Sequence, residues 1–223
     1  MLKVPFGSMS EPQRLDCLNW PAEWPYKPTV EFSIGYDDSG IRLDYSVDEQ
    51  SIRALQGTPG GDVYEDSCVE FFFQPSPDDP HYYNFEWNAI GNLYLAWRTG
   101  RHDPEKAPAD VLAMVKAEAS CGSVPFAERP ADGPWTLKVF IPLAALWHGL
   151  GGAEGQPSAG GPGFRGLQGS GELQGLRARA NFYKCGDGLT VPHFVTWAPI
   201  STEKPDYHRP EFFADLQFVP END

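Results

Sequence analysis

Prolines and glycines, 22 and 23 of them in 223 residues, interrupt this chain too often for a helical bundle. Between the breaks lie short runs in which apolar and polar side chains alternate, as half-buried strands do. The densest such stretch is Gly61 to Arg98, which reads as three strands joined by a Pro/Asp-rich turn and a tight turn at Ala89-Ile90-Gly91-Asn92. Successive side chains of a strand point to opposite faces. Tyr82, Asn84, Glu86 and Asn88 therefore share one face, and Tyr83, Phe85 and Trp87 the other. A face of Tyr, Asn, Glu and Asn backed by aromatics suits hydrogen bonding to a small polar ligand. It is the first candidate site.

The same pattern recurs along the chain. Val30 to Tyr36 and Ile41 to Val47 alternate around the turn Asp37-Asp38-Ser39-Gly40, which predicts a hairpin. Asp48 to Leu55 predicts a short helical turn, Val111 to Ala119 a strand, Trp135 to Pro142 a strand closed by proline, and Leu143 to Leu150 a short helix. In Leu176 to Tyr183, Arg177, Arg179, Asn181 and Tyr183 oppose Leu176, Ala178, Ala180 and Phe182. His193 to Trp197 and Phe212 to Phe218 read as the last strands. The expected fold is all-β, an antiparallel two-sheet β-sandwich of immunoglobulin-like or jelly-roll-like kind with one or two short helices. Residues 1–28 are expected to form an extended N-terminal arm, with Trp20 and Trp24 plugging the edge of the domain. Residues 29–223 make the single domain, with a flexible Gly-rich insertion at 149–175.

A net charge of −14 and a pI near 4.7 argue against a phosphate-binding surface, so no nucleic acid partner is expected, and anionic membranes are disfavoured too. No run approaches the ~18 apolar residues of a membrane span. The first residues lack the apolar core of a secretory signal, so the protein is cytoplasmic or its sequence begins after a removed signal. Cys17, Cys68, Cys121 and Cys185 form no C-x-x-C pair, which argues against zinc and for free thiols, with one disulfide as the alternative. Asp62, Glu65 and Asp66 could serve a structural calcium ion. No G-x-S-x-G elbow, P-loop, H-E-x-x-H or dinucleotide fingerprint is present. Glu70 and Glu86 are the carboxylates a glycosidase would use. Sugar binding fits the strand parity better, because it needs aromatic faces for the C–H side of a ring and charged or amide groups for its hydroxyls. Tyr82, Asn84, Glu86, Asn88, Arg98, Arg179, Asn181 and Tyr183 supply both kinds.

The run Val63-Tyr64-Glu65-Asp66-Ser67-Cys68-Val69-Glu70-Phe71-Phe72 resembles the family 9 carbohydrate-binding modules and their family 9-like relatives. The resemblance continues through Tyr82 to Gly91, Asn181 to Asp187, His193 to Pro199 and Pro205 to Phe213. It implies a sandwich related to the DOMON fold. It also implies a non-catalytic module that holds a small saccharide or glycan end between two aromatic rings, alone or beside a glycoside hydrolase in carbohydrate catabolism. Residue by residue, the resemblance implies Tyr64 as the first ring, where the family usually has Trp, and Trp197 as the second. Glu70 would take sugar hydroxyls with Arg98 as its partner, and Asn181 would add an amide. Phe194 stands where the family usually has Asn. Structural calcium is common in the family. The alternatives are a glycosidase acting through Glu70 or Glu86, and a DOMON-like haem or redox domain with His193 or His208 as axial ligand.

Overall fold

The computed structural model describes residues 1–150 and 173–221; most of the stretch 149–175 expected as an insertion lies outside the described residues. In chain order the strands are β1 (Leu2–Val4), β2 (Gln13–Arg14), β3 (Thr29–Asp37), β4 (Gly40–Asp48), β5 (Ser51–Ala54), β6 (Cys68–Gln74), β7 (Tyr82–Asn88) and β8 (Leu93–Arg98). They continue with β9 (Glu105–Lys106), β10 (Lys116–Ala119), β11 (Phe126–Pro130), β12 (Trp135–Pro142), β13 (Arg177–Cys185), β14 (Phe194–Thr196) and β15 (Ala214–Phe218). One short helix, α1 (Ala109–Met114), precedes β10.

The larger sheet runs β1-β15-β13-β6-β7-β8-β9, with β14 pairing the second half of β13. The smaller runs β10-β12-β4-β3-β2, and β11 pairs β5. Among these pairs only β1 with β15 is parallel. The fold is an all-β sandwich with little helix, as expected. Alternation explains the layers: Phe71, Phe73, Phe85, Trp87 and Phe182 of the larger sheet meet Phe32, Ile34, Leu43, Tyr45, Leu137 and Val139 of the smaller. Phe182 lies 3.7 Å from Phe32 and 4.9 Å from Phe71, centroid to centroid, so one ring joins both sheets. Truncating such a ring costs about 3–5 kcal/mol.

The outer face of β6, β7 and β8 is buried as well. Phe72, Tyr82, Tyr94, Tyr183, Tyr207 and Phe213 form a second apolar cluster there, roofed by the chain after β14. Trp20 joins this cluster, its Nε1 donating to the Thr202 carbonyl at 2.7 Å, and Trp24 packs edge-on against Phe194 at 5.4 Å. The proline-rich start also forms two short edge strands, β1 and β2, one on each sheet.

Three expected elements differ. Ser51–Ala54, read as part of a helical turn, is β5, held by pairing with β11. Val111 to Ala119 divides into α1 and β10: Pro108 opens a run of good helix formers in which only Val111 is buried, and the chain becomes extended from Val115. The helix expected over 143–150 is a single 3-10 turn at Leu143–Ala145. At the β7–β8 turn, Gly91 has φ +77°, and Ala117 lies 3.1 Å from where a Cβ would stand, so a side chain there is strained and crowded.

A buried ionic cluster fastens the sheets. Lys184 of β13 and Glu49, just past β4, are both fully buried, with Nζ 2.9 Å from Oε2 but outside hydrogen-bond geometry. Lys184 Nζ also donates to the Cys185 carbonyl and to His193 Nε2, each at 2.7 Å. His193 Nδ1 lies 3.1 Å from the Val191 carbonyl, so it carries the proton, Nε2 accepts, and the ring is neutral. Trp135 Nε1 donates to Glu49 Oε1 at 2.7 Å. Burial opposes ionisation of Glu49, but the Lys184 ammonium outweighs it, and the carboxyl comes from 4.5 down to about 2. A depressed carboxylate stabilises the fold above its ordinary pKa, and that contribution is lost as pH falls from about 4.5 towards 2. The shift corresponds to about 3 kcal/mol. Urea unfolding of the wild type is expected to weaken by that order across this window, while Glu49→Gln lacks the step. At neutral pH Glu49→Gln is expected to lose about 3 kcal/mol or more, since Lys184 is left buried and unpaired. Parallel pH profiles for the two proteins would show that the pair does not stabilise the fold.

Candidate functional site

Register lines up the outward side chains of the larger sheet in rows that cross the strands. The central row is Tyr183 (β13), Glu70 (β6), Glu86 (β7) and Tyr94 (β8). On one side lie Phe194, Cys185, Cys68 and Asn88. On the other lie Asn181, Phe72, Asn84, Ala96 and Lys106, then Tyr82 and Arg98. Two carboxylates flanked by two tyrosines thus face outward together.

A cavity of about 280 Å³ opens over these rows. Glu70, Glu86, Asp62 and Asp187 line it, opposed by Arg98, Arg101 and Lys106; Tyr64, Tyr94, Phe194 and Tyr207 supply aromatic walls, and Cys185, Pro205 and His208 complete it. Its roof is pinned at several points. Tyr207 stacks on Tyr183 at 4.2 Å and donates its hydroxyl to the Lys184 carbonyl at 3.0 Å. His208 stacks on Phe72 at 5.1 Å, and Asp206 pairs with Arg101 at 2.9 Å.

The charges do not cancel in simple pairs. Burial and the Glu86 carboxylate push Glu70 well above the carboxylate range, while Cys185 Sγ donates to its Oε1 at 3.1 Å. Burial brings Glu86 up to about 7, against the pull of Asn84 Nδ2, which donates to its Oε1 at 2.9 Å, and of Arg98. Asp187 rises to about 6, chiefly through burial. His208 falls to about 2 through burial and the Arg98 and Arg101 charges, so it is neutral. Arg98 donates to the Tyr94 hydroxyl at 2.9 Å, and its Nε is buried with no partner, as is Asn84 Oδ1. Such groups are costly unless something enters to meet them.

Of the residues singled out from the sequence, Tyr64, Glu70, Glu86 and Arg98 meet at this cavity. Tyr64 lies on a 3-10 turn (Val63–Glu65) before β6 and keeps 40% of its surface exposed. Tyr82 and Asn84 lie just behind the lining: the Tyr82 hydroxyl is 3.0 Å from His208 Nδ1, and Asn84 holds Glu86. The other three are elsewhere. Asn88 builds the β7–β8 turn, donating to Asp66 and the Gln56 carbonyl and accepting from Asn92 N. Asn181 ties β13 to the chain after β14 through both Ala198 backbone groups. Trp197, expected as the second ring, turns into the inter-sheet core, 5.9 Å from Phe32 and 5.6 Å from Phe182. Its parity explains this: it shares the inward face with Val195, while Phe194 and Thr196 face outward. The ring that this strand turns to the cavity is Phe194.

Sequence parity also held the signal for Tyr94, two strand steps from Arg98 on one face. Arg101 carried no mark in the sequence; Asp187, Tyr207 and His208 lie in the family-like runs Asn181 to Asp187 and Pro205 to Phe213, but no spacing placed them at this cavity. Of the acids grouped for calcium, Asp66 already accepts from Leu55 N, Gln56 N and Asn88 with both oxygens and lies 3.4 Å from Arg53. His193, named as a haem ligand, has both ring nitrogens engaged inside the protein.

A family model described as "Carbohydrate-binding family 9" matches residues 7–157 and 167–218, and the chain belongs to that family. A solved structure from Bacteroides uniformis ATCC 8492, described as that of a candidate carbohydrate-binding protein, is 40% identical, with a TM-score of 0.79 over 93% of this chain and 86% of that one. Two structures of a family 9 carbohydrate-binding module from Caldicellulosiruptor kristjanssonii share the fold. The one with cellotriose has a TM-score of 0.54 at 12% identity, over 98% of this chain and 93% of that one. The one with glucose has 0.56 at 10%, over 98% and 95%. No curated protein matches the chain.

The two aromatic positions should separate in a denaturant titration. Trp197→Ala is expected to destabilise by about 2–3 kcal/mol, somewhat less than for a fully enclosed ring. Tyr64→Ala, at the exposed rim, is expected to stay within about 0.5 kcal/mol of wild type. Equal losses at both positions would contradict this placement.

Proposed function

We propose that this domain binds carbohydrate in the cavity over β6, β7 and β8, gripping a monosaccharide or the end of a short saccharide without turning it over. The observation that carries this reading is the row of two carboxylates between two tyrosines, with Arg98 beside it, in a chain of a carbohydrate-binding family. A pyranose offers C–H faces to aromatic rings and hydroxyls that both donate and accept. Tyr64 stacks at the open rim, and Tyr94 and Phe194 close around the ring. Glu86 and Glu70 take hydroxyls; a carboxyl whose pKa is raised towards neutral can donate as well as accept. Arg98 and Lys106 donate, and Arg98 Nε is buried capacity awaiting a partner. Tyr82 and Asn84 hold the lining groups in place. Asn88, Asn181 and Trp197 contribute through the fold.

The family 9 modules with cellotriose and glucose make those two sugars the first ligands to try. In a larger assembly the domain would carry a glycoside hydrolase to its substrate during carbohydrate catabolism. Hydrolysis by the domain itself is the second reading. Glu70 and Glu86 stand opposite each other in register, where Cβ atoms are about 4.5–5.5 Å apart. Retaining glycosidases hold their carboxyls about 5 Å apart.

Calorimetry with glucose, cellobiose and cellotriose, run beside an aryl-glycoside turnover assay, tests both. Saturable binding without turnover is expected. Arg98→Met and Glu86→Gln should weaken it roughly tenfold or more, about 1.4 kcal/mol each, and Tyr64→Ala by a similar factor. Trp197→Phe should bind like wild type. No binding across a broad glycan panel would sink the proposal, and turnover abolished by Glu70→Gln would replace it with the hydrolase.

A further inference from the structure

We propose that Cys68, Glu70 and Cys185 form a site for a thiophilic divalent metal ion of the zinc class at the floor of the cavity. Cys68 and Glu70 are two residues apart on β6 and so share the outward face, and Cys185 of β13 stands directly opposite Cys68 in register. Their two sulfurs and one carboxylate oxygen all lie within 4.8 Å of one another. Cys185 Sγ is already 3.1 Å from Glu70 Oε1. Zinc bonds of about 2.3 Å to sulfur and 2.0–2.2 Å to oxygen give tetrahedral edges of roughly 3.8 Å between sulfurs and 3.5 Å from sulfur to oxygen. The three side chains therefore need only small rotations to enclose an ion.

The chemistry of the set selects the ion. Two thiolates and one carboxylate suit zinc, whereas calcium and magnesium require oxygen cages. The three ligands come from the middles and facing ends of paired strands, a rigid mounting for a metal centre. The Tyr45 hydroxyl donates to the Glu70 carbonyl at 3.2 Å, which further fixes that residue's backbone. Cys185 and Glu70 both line the cavity, so an entry path exists and a fourth position faces it, open to a water or a hydroxyl oxygen. Two thiolates, one carboxylate and a dication leave one negative charge, and Arg98, Arg101 and Lys106 line the same cavity.

Binding exchanges protons for metal. A thiol or carboxylic acid gives up its proton to bind a metal, so forming two metal–sulfur bonds and one metal–oxygen bond releases the ligands' protons to solvent. No electron transfer is involved. The site shares Glu70 and the cavity with the sugar reading but does not rest on it, and it is tested without sugar.

The full chain, reduced with a phosphine and stripped with chelator, is titrated with Co²⁺ and then with Zn²⁺. The expected result is one equivalent of cobalt bound, a thiolate-to-cobalt charge-transfer band, bleaching by one equivalent of zinc, and acidification of a weakly buffered sample. Cys68→Ser and Cys185→Ser should abolish the band. Glu70→Gln should keep it but weaken binding roughly tenfold or more, the scale at which even outer partners of a metal site count. Cys17→Ser and Cys121→Ser should bind as wild type. Zinc X-ray absorption on the wild type needs no variant and should show two sulfur neighbours at about 2.3 Å. No charge-transfer band in the folded wild type would overturn the proposal. So would a band that survives loss of both Cys68 and Cys185, or a zinc spectrum with only oxygen and nitrogen neighbours.

Discussion

Lys184 carries a charge into the interior of the sandwich, and much of the structure is arranged around the groups that meet it. Its ammonium lies 2.9 Å from Glu49 and donates to His193 and the Cys185 carbonyl. Breaking a buried pair of this kind costs several kcal/mol, because the remaining partner stays charged in a poor medium. The pair acts on more than stability, because side chains of a strand alternate in direction. With Lys184 held inward against Glu49, its neighbours Tyr183 and Cys185 must face outward. A slip of one residue along β6 would strand the ammonium on the opposite face and turn Phe182 out of the core. The ion pair thus fixes the register that brings Tyr183 beside Glu70 and Cys185 beside Cys68.

The cavity floor is the reverse case: it gathers acids met by a thiol and an amide, not by a cation as Glu49 is. Glu70 and Glu86 are neighbours across two strands, and burial raises both. Arg98, Arg101 and Lys106 line the same space and offset the crowding of the two acids. Carboxyls raised in this way can offer donors as well as acceptors at one spot. That is a property of polar ligand sites more than of scaffolds, where each buried group normally has its partner already. Arg98 Nε and Asn84 Oδ1, buried without partners on the same face, fit the same picture.

What could be read from the sequence was what depends on period two. The division of Tyr82, Asn84, Glu86 and Asn88 from Tyr83, Phe85 and Trp87 is reproduced across the sheet, as is that of Tyr183 from Phe182. Parity alone could not say that the polar side is roofed, because the roof at Tyr207 and His208 comes from a loop far along the chain. It also could not choose between Phe194 and Trp197 until the pairing of β14 with β13 set which residue faces out. β5 was missed because four residues are too few for alternation to stand out from a turn. Cys185 and Glu70 are 115 residues apart, a separation no spacing motif covers.

That separation has a kinetic side. The floor strands β6, β7 and β8 follow one another with short connections, a meander whose contacts close small loops and can form early. Cys185, Phe194, Tyr207 and His208 reach the same place only after β13 has docked beside β6. In a chain still leaving the ribosome, the acidic row would exist before its lid. The cavity is therefore a late product of folding, and its appearance reports that the last third of the chain has found its place.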